Sequence, residues 1–437
     1  MRLTSGIGVF LLLLTASMAA QPARWPMFRG PNATGVAGGD PPVRWNPSGG
    51  EHVRWKTPIP GTGHSSPIVW GDRVFVTTAV SADPGKVDRT TATGRATVKD
   101  DGAQQWRLIC LDRSTGKVLW ERTAKEGTPR IGRHPKASHA NSTPATDGRH
   151  VVAYFGSEGL HTYDVEGNRL WSKDLGVIDV GYVGMAEYQW STASSPLIHD
   201  GLVIIQADAQ RGSFIAAFDV ATGREAWRHS RDELPSWTTP VIAEVAGRTV
   251  LITNSPRFIR GLDPATGREL WRVADEAEVK VPTPVVGADL VIVSGGAPRG
   301  REFHAIRPGV SVPAAERVAW TAPKGGPYTP TPIVVNDLLY VLADNGVLSC
   351  YEVATGALVY QERVSSAPES FSASPVAAAG RLYLAAEEGT VHVIRGGRQF
   401  ASIAANSMGE PVMATPAIAG PMLIVRGATH LYGIGPG

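Results

Sequence analysis

The side chains able to do chemistry in this sequence are few and widely spaced. His64, His139, Asn141, Trp190, Trp237 and Tyr328 each stand a few residues ahead of a Ser/Thr-Pro pair. Histidines and aromatic rings gathered around a depression suit a planar ligand or a sugar. A second set is basic. Arg211, Arg257 and Arg299 recur at comparable places, with Asn254, Asp208 and Gln210 nearby. Guanidinium forks match carboxylates and phosphates, so these three predict a small anionic ligand. The usual catalytic signatures are missing: His-Glu-x-x-His, Cys-x-x-Cys and Gly-x-Ser-x-Gly do not occur. The spacing of His134 and His139 matches no zinc pattern, and no metal is expected. Glu387 and Glu388 point to opposite sides of an extended chain and read, with Gly389, as a tight turn.

Such residues need a scaffold, and the scaffold is written as a repeat. Ser/Thr-Pro pairs begin at Ser66, Thr143, Ser195, Thr239, Thr283, Thr331, Ser374 and Thr415. The later ones are 41 to 48 residues apart, close to the roughly 40–45 residues of a four-stranded propeller blade. After each proline comes a short apolar run, a turn and a β-rich run, as in Pro332-Ile-Val-Val-Asn-Asp-Leu-Leu-Tyr-Val-Leu. These are strands A and B of a blade. Strands C and D follow around an acid-x-x-Thr-Gly turn that ends in an aromatic residue. Asp112 to Trp120, Asp219 to Trp227, Asp263 to Trp271 and Glu352 to Tyr360 are copies. The fold class is therefore all-β: an eight-bladed propeller over residues 53–437.

The aromatic series runs Trp55, Trp120, Trp171, Trp227, Trp271, Trp320, Tyr360 and Phe400. Trp55 precedes every proline of the series, and none follows Thr415. The stretch Val53 to Pro58 is thus expected to close the ring as the outer strand of the last blade, which leaves only short, protected edges. The aromatics should pack between blades, and each turn glycine should supply a positive φ. Cys110 and Cys350 occupy equivalent places in distant repeats. They lie beyond the ~7 Å Cα reach of a disulfide, so both are expected as buried free thiols.

Strand order fixes where function belongs. The D–A and B–C connections share one face, and the insertions 79–105, 122–141 and 173–193 all fall there. Long loops on a rigid scaffold are where binding concentrates. That face, around its central funnel, is the expected binding face for a small ligand or another protein. Lys and Arg total 42 against 40 Asp and Glu, which argues against a nucleic-acid partner. Residues 1–20 read as an export signal: Arg2, then the apolar run Ile7 to Leu14, then small residues to Ala20. Residues 21–52 form an N-terminal extension. No later segment is apolar enough to cross a membrane, so a periplasmic or extracellular location is expected.

The Asp-x-x-Thr-Gly-x-x-x-Trp units resemble the pyrroloquinoline-quinone (PQQ) repeat of the quinoprotein alcohol dehydrogenase-like propellers. The opening Trp25-Pro-Met-Phe-Arg-Gly-Pro31 is similar to the start of secreted bacterial members. The resemblance implies two functions: a non-enzymatic scaffold that binds a ligand or protein, or a PQQ-dependent dehydrogenase of alcohols or sugars. A carbohydrate-binding propeller is a third reading of the funnel aromatics. Dehydrogenases of the family hold the quinone between a tryptophan and a disulfide of adjacent cysteines, with Ca²⁺ on carboxylate and amide oxygens. This chain has no adjacent cysteines.

Overall fold

The middle strands of each repeat are near-continuous apolar runs, and such strands must be covered on both faces. Radial packing of blades does this. In the computed structural model, which describes residues 23–83, 97–185, 187–245, 247–295 and 302–436, the strands form eight antiparallel sheets. The expected export signal and Arg299 lie outside the described residues. Blades 1 to 7 span residues 68–127, 145–173, 197–230, 241–274, 285–322, 333–363 and 376–407. Blade 8 takes Ala417–Ala419, Met422–Arg426 and His430–Ile434 from the C-terminal end. Its fourth strand is Val53–Pro58, paired antiparallel with His430–Ile434. Closure follows the sequence expectation.

The repeat residues show how blades lock together. In blade 1, Asp112 Oδ1 accepts from the Ser114 and Thr115 amides at 3.0 and 2.8 Å, shaping the C–D turn. That turn presents a carbonyl one residue after the acid to the preceding blade's indole. Trp55 Nε1 donates to Arg113 O at 2.8 Å, Trp120 to Val165 O at 3.0 Å and Trp171 to Val220 O at 2.9 Å. Trp227 reaches Pro264 O at 3.1 Å and Trp320 reaches Val353 O at 2.9 Å. The turn glycine lies under the same ring. A Cβ on Gly116, at φ 70°, would come within 2.5 Å of Trp55. Within a blade, the residue opposite the aromatic must be small. Cys110 faces Trp120, Ala217 faces Trp227 and Gly261 faces Trp271. Cys110 and Cys350 are accordingly buried free thiols, and burial pushes them up to about 12 and about 11.

The N-terminal extension does something the repeat does not foretell. Arg24–Trp25 pairs antiparallel with Ile68–Trp70, the innermost strand of blade 1. Pro26 O accepts from Thr146 in blade 2, and Arg29 Nη2 donates to Pro332 O at 2.7 Å, at the start of blade 6. Ala37 N–H donates to Ala377 O, and Ala377 N–H to Gly35 O, in blade 7. The segment therefore crosses the central channel from one wall to the other. It leaves along blade 7, where Trp45 N–H donates to Asn406 Oδ1 at 3.1 Å, and then enters blade 8 as the closing strand.

Candidate functional site

The chain ahead of each strand A is extended, so side chains two residues apart face the same way. This produces two stacked rings around the channel. The lower ring is the Ser/Thr of each Ser/Thr-Pro pair. Proline removes one backbone donor at each inner strand, and the hydroxyl before it supplies a substitute link. Ser66 N–H donates to Thr143 Oγ1 at 2.9 Å, Thr143 to Ser195 at 3.0 Å and Ser195 to Thr239 at 3.0 Å. Thr239 donates to Thr283 at 3.3 Å and Thr283 to Thr331 at 3.0 Å. Thr331 donates to Ser374 at 3.0 Å and Ser374 to Thr415 at 2.9 Å. Seven junctions thus share one bond and one direction. At the closing junction the buried Arg426 takes over. Its Nη1 donates to Ser65 O, Ser65 Oγ and Thr77 O at 3.0, 2.6 and 2.7 Å.

The upper ring lies two residues ahead of each hydroxyl, and it is two-sided. His64, Asn141, Thr329 and Ser372, from the strands leading into blades 1, 2, 6 and 7, are polar. Ala193, Trp237, Val281 and Met413, leading into blades 3, 4, 5 and 8, are apolar. Both rings line one cavity of about 270 Å³. Phe28, on the N-terminal segment, forms part of its floor, so the funnel opens on one face only. Trp190 packs against Trp237 at 5.6 Å between ring centroids, the rings tilted by 36°, and His134 meets Trp190 edge-on at 5.4 Å. Both tryptophans are 9% exposed. Trp237 is fixed by its indole bond to Ser191 O at 2.8 Å.

His64, Asn141, Trp190, Trp237 and Tyr328 all line this cavity. Burial, then the nearby Arg426 and Arg133 charges, lower His64 to about 4, so its ring is neutral. Asn141 is oriented by bonds from Ser138 N–H at 2.8 Å and to Thr192 O at 3.1 Å.

The other expected residues do not join them. His139 is buried beside the cavity, with Nε2 on Asp100 at 2.8 Å, and Arg133 grips the same carboxylate at 2.7 Å. Burial opposes ionisation of Asp100, yet the hydrogen bonds from His139 and Arg133 hold it down to about 2. This cluster pins the 122–141 loop. Asn254 is fully buried, and its amide donates to Pro282 O and Ser294 O at 3.1 Å each, bolting blade 4 to blade 5. The arginine expectation is corrected. Arg211 is exposed and Arg257 pairs with Asp232 at the surface. Neither lines the cavity. Their B–C turns lie farther from the axis than the A strands, which keeps them from converging. Asp208 is spent on Arg231, Ser236 and Ser255 at 2.8, 2.8 and 2.6 Å.

Sequence reading missed His134, Lys136, Met413 and Phe28. Glu387 lies in the B–C turn expected for it, and from there it accepts from two lining residues, Lys136 Nζ at 2.7 Å and Ser372 Oγ at 2.5 Å. The two-residue offset from each Ser/Thr-Pro would have found Met413 and Ser372. Nothing local signals the contact between Lys136 and Glu387, which are 251 residues apart.

Eight blades, the acid-x-x-Thr-Gly turns and the hydroxyl collar define an eight-bladed propeller of PQQ-like repeats. The chain belongs to the family described as outer membrane protein assembly factor BamB, whose model matches residues 107–362 and 259–427. Among solved structures it is similar to BamB from Moraxella catarrhalis, with a TM-score of 0.54 and 14% identity over 82% of this chain and 98% of that one. It is also similar to quinohemoprotein alcohol dehydrogenase ADHIIG from Pseudomonas putida HK5, at 0.51 and 13% identity over 86% and 76%. The quinohemoprotein alcohol dehydrogenase from Comamonas testosteroni gives 0.50 and 16% identity over 96% and 82%. At these identities the structures share a fold. No curated protein matches the sequence significantly.

The quinone with its Ca²⁺ does not fit this funnel. The residues lining the cavity include no carboxylate. Among the described residues no group of three His, Cys, Asp or Glu side chains could hold a metal ion. The one cationic side chain of the lining, Lys136, already meets Glu387.

Proposed function

We propose that this protein is a non-enzymatic binding propeller, exported from the cytoplasm, whose long-loop face takes a small planar ligand in the central funnel. One observation carries the reading: the channel is stoppered by Phe28, and above the stopper stands a pocket walled by the packed indoles of Trp190 and Trp237. A channel closed at one end with an aromatic wall is a receptor for a flat molecule. The absence of carboxylates from the lining speaks against the calcium-dependent dehydrogenase reading. It also weakens the sugar reading, because vicinal hydroxyls call for strong acceptors.

The test is a titration of the full chain with one- and two-ring aromatic compounds, followed by tryptophan fluorescence. Trp237→Ala is expected to weaken any funnel ligand at least tenfold while leaving the far-ultraviolet circular dichroism unchanged. Ligands indifferent to Trp237→Ala would remove the funnel from consideration.

A protein partner on the same face is the second reading. Strands C and D of blade 1 run 9 and 10 residues, Gln104–Asp112 and Val118–Gly127, against 4 to 6 in the other blades. That tall hairpin stands above the loop face as a wall. Its description as an assembly factor makes protein binding a natural property of the family.

A further inference from the structure

The hydroxyl collar is more than a set of struts. A serine or threonine hydroxyl carries one proton to donate and two lone pairs. In seven of the eight collar hydroxyls a lone pair is taken by a backbone N–H of the neighbouring blade. None of the eight donates a hydrogen bond within the described protein, and all eight line the funnel. The floor is therefore a ring of unspent donors around Phe28.

The surrounding charge is positive on balance. Arg426 is 3% exposed, touches the residue between His64 and Ser66, and has no carboxylate partner among the described residues. Its charge is felt at His64. Lys136 adds an ammonium with two further donors beyond the one given to Glu387. Glu387, behind the lining, offsets the Lys136 charge, and among the described residues Arg426 is the cation left without a carboxylate. Donors and positive potential in a sheltered site favour an anionic oxygen acceptor.

The two walls set the rest of the ligand's shape. Ser66, His64, Lys136 and Ser372 lie on the polar side, and Trp190, Trp237 and Val281 on the apolar side. We infer that the funnel binds an amphipathic organic carboxylate without a metal: a ring system against Trp190 and Trp237, and its carboxylate on the donors beside Ser66 and Lys136. This rests on the funnel being the binding site, and it names the ligand class. It also explains why the calcium-binding carboxylates have no counterpart here. In a metal-free site the protein's own donors meet the anion directly.

The experiment is calorimetric titration of the full chain with naphthoate and with naphthalenemethanol, which keeps the rings and loses the charge. Each is run with and without Ca²⁺. Ser66→Ala is the clean variant. Its hydroxyl accepts no blade-to-blade bond, while its backbone N–H keeps the one to Thr143. Naphthoate is expected to bind at least tenfold tighter than naphthalenemethanol, independently of Ca²⁺. Ser66→Ala and Lys136→Met should each weaken it several-fold, in line with a lost hydrogen bond to a charged group. Equal binding of the two compounds, both sensitive to Trp237→Ala, would keep the funnel as a binding site and overturn the carboxylate assignment. Binding that requires Ca²⁺ would overturn it as well. Failure of both compounds would overturn the inference together with the funnel reading.

Discussion

His64 and His161 share a property with a measurable consequence. Burial lowers His161 to about 4, and burial with the Arg426 and Arg133 charges lowers His64 to about 4. An unfolded histidine titrates near 6.5. Between those values the unfolded chain binds protons that the folded chain refuses. Stability therefore falls as pH drops from about 6.5 to about 4. Asp100 acts in the same direction at lower pH. Its folded value of about 2 means that its stabilisation is present above the ordinary carboxylate range and is lost as pH falls toward 2. His64→Gln and His161→Gln should each flatten the stability slope between pH 4 and 6.5, by up to about 3 kcal/mol across the window. Urea melts at stepped pH measure this, and parallel slopes for variants and parent would contradict it. Residue-level legibility was uneven for a physical reason. His64, Asn141 and Trp237 were readable because they lie on extended chain leading into strand A, where period two fixes their direction. His139 is an even number of residues from Thr143 as well, but it sits in a loop whose path is set by Asp100 and Trp106.

The indole clamp makes five of the blade–blade junctions nearly identical small devices. Its parts are an acid that shapes a turn, a carbonyl that the turn presents, a glycine under the ring and a small residue opposite it. Every part has a sequence signature, which is why the elements and their order were legible from spacing alone. Tyr360 and Phe400 replace the indole in blades 6 and 7, and blade 5 is the exception that keeps its tryptophan partner and tests the account. Its C–D connection, 307–317, has no acid-x-x-Thr-Gly turn, and the Trp271 indole has no hydrogen-bond partner among the described residues. Arg317 stacks over the ring instead, 4.8 Å from its centroid. Phenylalanine keeps the ring face and loses the N–H. Trp227→Phe should therefore cost about 1 kcal/mol more than Trp271→Phe, since only the first gives up a bond. Gly116→Ala should cost more than either, because a methyl at positive φ would also displace Trp55. Chemical denaturation of the three variants ranks them. A Trp271→Phe cost equal to that of Trp227→Phe would show that the indole bonds contribute nothing net.

At the scale of the whole molecule, described residues 23–58 have two separable jobs. Residues 24–37 thread the channel and supply Phe28, while Val53–Pro58 closes the ring. Repeat periodicity revealed the second job, because the aromatic count needed Trp55 to complete it. It could not reveal the first. Channel threading depends on pairing with the inner edges of blades 1 and 7, and no periodic pattern in Trp25 to Pro31 encodes that pairing. The two jobs predict different deletion phenotypes. Removing residues 23–52 takes away the stopper and the buried Trp25 and Trp45 but leaves the closing strand Val53–Pro58 and the Trp55–Arg113 bond. That chain should still close into an eight-bladed ring, melt at lower temperature, and lose the funnel floor with any ligand that rests on Phe28. Removing residues 23–58 also strips the outer strand of blade 8 and leaves Gly116 without the ring that covers it. An open propeller exposes the His430–Ile434 strand as a sheet edge, which invites association. The longer deletion should therefore unfold or aggregate under conditions where the shorter one is monomeric. Thermal melts with size-exclusion chromatography distinguish the two. If the shorter deletion collapses as the longer one does, the threaded segment is part of the folding core rather than a stopper placed in a finished ring.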